Sequence, residues 1–252
     1  MLVQEMQHVR RSRPSLRVSL ARSTNEVEEA QRLRYSIFAL EMGARIQSAV
    51  PGIDRDRFDQ YCDHLIVRDQ ESNEVVGTYR ILPPKAAQDL GGYYSEQEFS
   101  LTRLAHLRPS MVEVGRSCIH PAYRSGATIL MLWAGLARYM SKNRYESLIG
   151  CASVSMADGG HAAASVFNRV RERHLCPLEY RVFPRCRLPL EKLENDLAAE
   201  LPPLVKGYLN VGAWVCGEPA WDPDFNVADL LILLPLRNVD ARYGRHFLQH
   251  AA

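Results

Sequence analysis

Neither G-x-G-x-x-G nor G-x-x-x-x-G-K-[S/T] occurs in this 252-residue chain. The glycine-rich phosphate cradles of dinucleotide enzymes and P-loop NTPases are therefore excluded. No two of the six cysteines form a Cys-x-x-Cys pair, so no metal site is expected. Charge of one sign is also missing: 31 Lys and Arg stand against 29 Asp and Glu, a formal net charge of +2. That balance gives no argument for nucleic acid as a partner. The longest apolar run, residues 230–236, contains Pro235 and falls well short of the ~20 residues needed to cross a bilayer. Met-Leu-Val-Gln-Glu-Met-Gln-His-Val-Arg at the start has no apolar core of signal-peptide length. Several cysteines sit in apolar runs such as Ile149-Gly-Cys-Ala-Ser-Val154 and read as buried free thiols of a reducing compartment. The expectation is a cytoplasmic protein that touches the inner membrane at most transiently, as a peripheral one.

What is present is a 46% hydrophobic chain, ordinary for a folded core. Residues 1–15 are polar and basic and are expected to be mobile. Residues 16–252 read as one domain, with 200–252 a C-terminal extension completing the sheet and the acceptor site. Residues 16–20 alternate as a half-buried strand does. Ser23-Thr-Asn-Glu26 starts a helix through Ala30, Leu33, Ile37 and Phe38, which Gly43 ends. Residues 44–62 read as loop, and 64–68 and 75–82 as a hairpin. Pro83-Pro84 and Gly91-Gly92 mark 83–100 as irregular. Residues 111–119 form a strand, Gly126 opens a long helix, 148–154 form another strand, and a helix runs through Ala162, Val166, Phe167 and Val170. Short strands are expected at 178–182, 187–190, 209–215 and 228–234, with 191–201 a short amphipathic stretch. The order indicates an α/β (α+β) layer on one mixed sheet flanked by helices, without the regular alternation of a Rossmann or barrel fold.

Chemistry concentrates on the strand 111–119, which sets Glu113, Arg116 and Ser117 among apolar residues. Residues three apart in a regular strand face opposite sides. For Glu113 and Arg116 to serve one site the strand must kink, and Gly115 is the residue type that permits it. His120-Pro-Ala-Tyr-Arg124-Ser-Gly126 then joins strand to helix. Free N–H groups at such a helix start donate to phosphate or carbonyl oxygens, and Arg124 adds positive charge there. Taken alone, each feature is also compatible with a structural ion pair or an ordinary turn.

Further segments carry a resemblance. They are Leu33-Arg-Tyr-Ser-Ile-Phe38 with Glu41-Met-Gly43, Asp56-Arg-Phe-Asp59-Gln-Tyr-Cys62 with His64-Leu-Ile-Val67, and Gly77-Thr-Tyr-Arg80-Ile-Leu-Pro83. Then come Glu113-Val-Gly-Arg116-Ser-Cys-Ile-His-Pro121, Lys206-Gly-Tyr-Leu209 and Cys216-Gly-Glu-Pro-Ala-Trp-Asp-Pro-Asp-Phe225. In this order the chain resembles the bacterial ornithine N-alpha-acyltransferases, which are similar to acyl-homoserine-lactone synthases and share their N-acetyltransferase-like (GNAT) fold. The resemblance implies Glu113 and Arg116 as catalytic. It implies Arg34, Phe38, Asp56, Asp59 and Arg80 at the acceptor; Glu218 and Asp222 join them as acids able to clamp a second ammonium, and Ser117, Arg124, Ser125 and Gly126 at the strand-to-helix turn suit the donor's phosphopantetheine. Ser117 and the Cys216–Phe225 tail depart from the lactone synthases. Arg124-Ser-Gly-Ala is shorter than the coenzyme A loop of acetyltransferases, which is consistent with a carrier-protein donor.

The implied reaction moves a (3-hydroxy)fatty acyl group from acyl carrier protein to the α-amine of L-ornithine, giving lyso-ornithine lipid. No cofactor is needed beyond the phosphopantetheine that the carrier brings. Glu113 would take the amine's proton. An acid among Glu218, Asp222, Asp224, Asp56 and Asp59 would pin the δ-ammonium. Arg138, Lys142 and Arg144, or Arg169, Arg171 and Arg173, would dock the acidic carrier. Trp133, Phe38, Leu132, Leu148 and Phe167 would line an acyl tunnel. The rival readings are an N-acyl amino acid synthase for glycine, serine or a homoserine-lactone precursor, a carrier-binding module without activity, and a membrane-active, haemolysin-like protein. No long amphipathic helix supports the last.

Overall fold

A computed structural model describes residues 15–124 and 126–239. The basic segment 1–14, Ser125 and residues 240–252 lie outside the described residues. Strand β1 (Leu16–Leu20) leads into helix α1 (Thr24–Tyr35). Ser23 caps the helix by accepting the Glu26 N–H, while Glu26 accepts the Arg22 N–H in return. The helix does not stay α-helical through Phe38 as its spacing predicts. It passes into a π turn at Ser36–Glu41, and Gly43, at φ 74°, ends it. The wider turn carries Phe38 and Met42 toward the cavity described below.

Strands β2 (Asp63–Asp69) and β3 (Val75–Leu82) form the expected hairpin. Residues 84–90 are helical, as α2 (Pro84–Leu90), where irregular chain was expected. The reason is positional. Pro84 occupies the first turn, where its missing N–H costs nothing, and Gly91 at φ 87° stops the helix. The same residues that suggested irregular chain are start and stop signals. Then follow β4 (Phe99–Ser100), β5 (Met111–Ile119), α3 (Ala127–Asn143), β6 (Ser147–Ser155) and α4 (His161–His174).

The C-terminal third differs more from the sequence reading. Residues 178–182 hold a 3-10 turn at Leu178–Tyr180, and β7 is only Phe183–Pro184. Residues 187–190 make one isolated bridge, Arg187 to Ala220. Pro177, Pro184 and Pro189 remove the ladder donors that strands there would need. Past the 3-10 turn Leu190–Lys192, residues 193–201 are irregular. Residues 209–215 are split: Leu209 belongs to helix α5 (Pro203–Asn210), started by Pro202-Pro203, and Gly212 at φ 101° separates it from β8 (Trp214–Val215). Strands β9 (Ala220–Asp222) and β10 (Val227–Pro235) follow.

The main sheet runs β1-β2-β3-β5-β6-β10-β8, with β9 also on β10. Every pairing is antiparallel except β5 with β6. Side-chain alternation divides the core. Leu230, Ile232 and Leu234 of β10 pack with α3, α4 and α5, whereas Leu231 and Leu233 face α2 and the 93–111 segment. Helix α1 covers that second face over β2, through Ala30, Leu33 and Ile66.

The parallel pair is short. Met111, Val112 and Glu113 align with Ser147, Leu148 and Ile149, and no pairing continues beyond. At the last close approach, a Cβ on Gly150 would stand 2.3 Å from the Val114 carbonyl oxygen. Past that point β5 is bonded only to β3 and β6 only to β10, so half of their backbone groups face a gap in the sheet. Gly150→Ala must therefore push the strands apart and is expected to destabilise the protein by about 1–3 kcal/mol. Thermal unfolding checks this, and an unchanged melting temperature would show that the strands have room.

Candidate active site

The gap is lined on one side by β5, and β5 is bulged. Arg80 pairs with Gly115 and Thr78 with Cys118, so Arg116 and Ser117 together oppose the single residue Tyr79. The extra residue reverses side-chain parity, which puts Arg116 on the same face as Glu113. The unusual backbone is at Arg116, φ 50°, and not at Gly115, around which a Cβ would meet nothing. A non-glycine left-handed residue costs about 1 kcal/mol and needs its surroundings to hold it.

Those surroundings are specific. The Arg116 guanidinium lies between the Tyr94 and Phe225 rings, 5.0 and 4.6 Å from their centroids. Its Nε is 3.2 Å from Asp54 and its Nη2 3.6 Å from Asp56. Asp54 also receives Arg34 Nε at 2.8 Å, and Arg34 forks onto both oxygens of Asp59 at 2.7 and 3.1 Å. Arg80 bonds Asp56 at 2.7 Å and Asp59 at 3.2 Å. Three arginines and three aspartates thus form one connected lattice. Burial pushes the Asp59 carboxyl up, but the Arg34 and Arg80 guanidiniums beside it more than reverse this and hold it below the usual range. Arg34 is fully buried and, like Asp59, borders neither cavity described here. Both reach the cavity only through the lattice partners they bond, Asp54 and Arg80.

Glu113 is buried, and its two carboxylate oxygens accept the Tyr94 and Ser95 N–H groups at 2.6 and 2.8 Å. Burial nevertheless raises its carboxyl above the ordinary value, against those hydrogen bonds. Glu113, Arg116, Ser117, Arg80 and Phe38 share a cavity of about 120 Å³. Its opposite wall is β6, β9 and β10: Cys151, Ser153, Asp222 and Asp229. Asp222 accepts the Asp224 and Phe225 N–H groups, so it shapes a turn and borders the cavity at once.

Two residues here escaped the sequence reading. The Asp229 carboxyl is hydrogen-bonded to that of Glu98, and burial pushes both up; the Asp229 charge adds to the rise of Glu98, to about 10, while the Ser153 and Glu98 hydrogen bonds to Asp229 oppose its own rise. Ser153 Oγ donates to Asp229 at 2.6 Å, and the Cys151 thiol lies 3.8 Å from Glu98. Atoms of Glu98, Cys151 and Asp229 lie within 4.8 Å of one another, close enough to share a cation. The available signal was one acid in an otherwise apolar strand, Val227-Ala-Asp-Leu-Leu-Ile.

Other expected residues stand elsewhere. Arg124 is partly exposed and forks onto Glu41 of the π turn at 2.6 and 2.8 Å. Gly126, at φ 90°, caps α3, and Ser125 is outside the described residues. Glu218 is on the surface, 2.5 Å from Arg187, away from the cavity. A second, apolar cavity of about 240 Å³ is lined by Trp133, Leu136, Met140, Leu148, Val211 and Leu234. Leu132 and Phe167 are plain core beside it, not lining, because they point under α3 and α4 into the main cluster. Tyr208 borders both cavities, with its hydroxyl on that of Tyr79 and Trp133 stacked on its ring.

A family model described as an acetyltransferase (GNAT) domain matches residues 33–134. The L-ornithine N(alpha)-acyltransferase of Brucella abortus is 37% identical over 92% of this chain and 89% of that protein. That of Agrobacterium fabrum is 34% identical over 92% and 85%. Among solved structures, the AHL synthase LasI superposes with a TM-score of 0.54 at 13% identity, over 94% of this chain and 96% of that one. FeeM, an N-acyl amino acid synthase from uncultured soil microbes, gives 0.53 at 12%, over 89% and 92%. The architecture is the GNAT fold.

The acid pair makes a stability prediction. Both carboxyls are raised in the folded state, so their contribution is complete below the unfolded values and is lost as pH climbs toward the folded ones. The melting temperature should fall as pH rises from about 4.5 to about 10, and Glu98→Gln should flatten that fall. Equal slopes in both proteins would remove the pair as its cause.

Proposed function

The chain belongs to the L-ornithine N(alpha)-acyltransferase family and is an N-acyltransferase; from that premise we propose that it transfers a (3-hydroxy)fatty acyl group from acyl carrier protein to the α-amine of L-ornithine, giving lyso-ornithine lipid. The observation that carries the reading is the two-signed cavity. A guanidinium, Arg116, lies on one wall, and Asp222 and Asp229 lie on the other, with Glu98 bonded to Asp229 behind it. A diamino acid has one carboxylate and a second ammonium to match those walls. In this pose Arg116 takes the α-carboxylate and the acid pair takes the δ-ammonium, leaving the α-amine between them near Glu113.

The chemistry then needs a neutral amine and an electrophilic carbonyl held together. Glu113, raised by burial, accepts the α-ammonium proton. The nitrogen attacks the thioester carbonyl, forming the C–N bond. The tetrahedral intermediate's oxyanion is held by backbone N–H groups facing the gap between β5 and β6. Its collapse breaks the C–S bond, and the departing pantetheine thiolate takes up a proton from the nitrogen. The arm's two amides pair with the same unpartnered strand edges. Its acyl chain enters the apolar cavity beyond Tyr208. Arg124 meets the arm's phosphate once Glu41 yields it, and Arg138, Lys142 and Arg144 or Arg169, Arg171 and Arg173 attract the acidic carrier.

Single amino acids offered with acyl-carrier thioester, and products read by mass spectrometry, test the assignment. Acylated ornithine should dominate, and a preference for glycine, serine or a homoserine-lactone precursor would replace ornithine as acceptor. Glu113→Gln should fold normally and lose roughly a hundred- to ten-thousand-fold in kcat. Near-wild-type turnover would take the base role from Glu113. Asp229→Asn should raise the KM for ornithine about tenfold or more while leaving the KM for the acyl donor unchanged. A shift in the donor KM alone would place the pair on the donor side.

A further inference from the structure

Most exposed apolar side chains in the protein stand singly, but Leu178 and Phe183 stand together. They are 73% and 59% exposed on the turn after α4. Arg103 joins them: its Nη1 donates to the Leu178 carbonyl at 2.8 Å, and its guanidinium lies 5.3 Å from the Phe183 ring centroid. Two more arginines frame the pair. Arg181 Nε donates to the Cys176 carbonyl at 2.8 Å, and Arg185 Nε to the Glu96 carbonyl at 2.7 Å.

These three guanidiniums are oriented by backbone carbonyls, and none forms an ion pair with a carboxylate of the described residues. Their charge is therefore unneutralised. The local sequence has the same bias, with five arginines and two glutamates between residues 171 and 187. Arg187 is the exception, being paired with Glu191 and Glu218.

We infer that this face docks on an anionic lipid surface, with Leu178 and Phe183 entering the acyl boundary and Arg103, Arg181 and Arg185 meeting headgroup phosphates. Unneutralised charge alone suits any acidic partner. The protruding leucine and phenylalanine add a demand for hydrocarbon, which a bilayer meets at the same depth at which it offers phosphates. The face is also coupled to the cavity. Phe183 and Pro184 pair with Ser100 and Phe99, and the Arg185 N–H donates to the Glu98 carbonyl at 2.6 Å. The adjoining Tyr94 and Ser95 N–H groups are those that hold Glu113. A bilayer on this face lies one two-stranded ribbon away from the site where an acyl product forms.

Vesicle sedimentation of the full chain tests this, with no acyl substrate present, so its outcome does not depend on the acceptor assignment. Phosphatidylcholine vesicles with about one-third phosphatidylglycerol should carry the protein down, and pure phosphatidylcholine should not. Leu178→Ser with Phe183→Ser should weaken binding at least tenfold, and Arg103→Gln with Arg181→Gln should do the same and remove its salt sensitivity. Both variants should keep the wild-type melting temperature and turnover with soluble substrates. Failure of the wild type to sediment with the anionic vesicles, or unaltered binding by both variants, overturns the inference. So does a variant defect confined to the KM for acyl carrier protein, which would give the face to that protein instead.

Discussion

The lattice of Arg34, Arg80 and Arg116 with Asp54, Asp56 and Asp59 is the constraint on which the rest of the site depends. It ties three separate pieces of chain together: helix α1, the loop before β2, and the central strands β3 and β5. Such a lattice is not justified by net stability, since buried ion pairs roughly break even against well-packed apolar replacements. Removing one member is a different matter, because it strands a buried charge, at a cost of about 3–5 kcal/mol. What the lattice provides is position. Asp54 and Asp56 fix the Arg116 guanidinium, and Arg116 could not otherwise be kept at positive φ between two rings.

The bulge in β5 and the lattice are therefore two halves of one device. The bulge turns Arg116 to the Glu113 face, and the aspartates hold it there. Glu113 in turn anchors the 94–97 turn through two backbone N–H groups, and Tyr94 from that turn closes over Arg116. Each element is held by the next, so the loops that close the site are held as firmly as the strands that line it. That hold matters because a misplacement of about 1 Å between amine and thioester is enough to cost a hundredfold in rate.

Much of this was legible in the sequence. The strand 111–119 and the helices α1, α3 and α4 follow from alternation and caps, whereas the Glu113–Arg116 centre came from the family resemblance, because a charged pair in an apolar strand equally fits a structural ion pair. The need for a kink was readable as well, but its seat was not. Glycine tolerance pointed to Gly115, while the lattice, invisible to local pattern, places the strained φ on Arg116. The failures elsewhere share a cause. Pro83-Pro84 and Gly91-Gly92 were read as marks of irregular chain, and 209–215 as a strand, when proline at a first helical turn and glycine after a last one delimit helices there. Glu98 and Asp229 were out of reach because their meeting is set by sheet order. β10 lies beside β6 only through the crossover, and β4 meets the cavity only through its ribbon with β7.

The acid pair also completes the electrostatics of the cavity in a way the lattice cannot. Around Arg116 each guanidinium has a carboxylate beside it, and Arg116 keeps its remaining N–H groups to offer an anion from that wall. Across the cavity, Asp229 and its partner Glu98 have no arginine or lysine bonded to them among the described residues, and Ser153 and Cys151 supply only neutral donors. Two carboxyls in that setting cannot both ionise cheaply, so they share a proton until a cation arrives. Entry of an ammonium reverses the balance: it supplies the missing charge, releases the shared proton and converts a destabilised pair into a matched one. The wall thus binds a cation only at the expense of a proton, and its preference for positive charge should strengthen as pH rises.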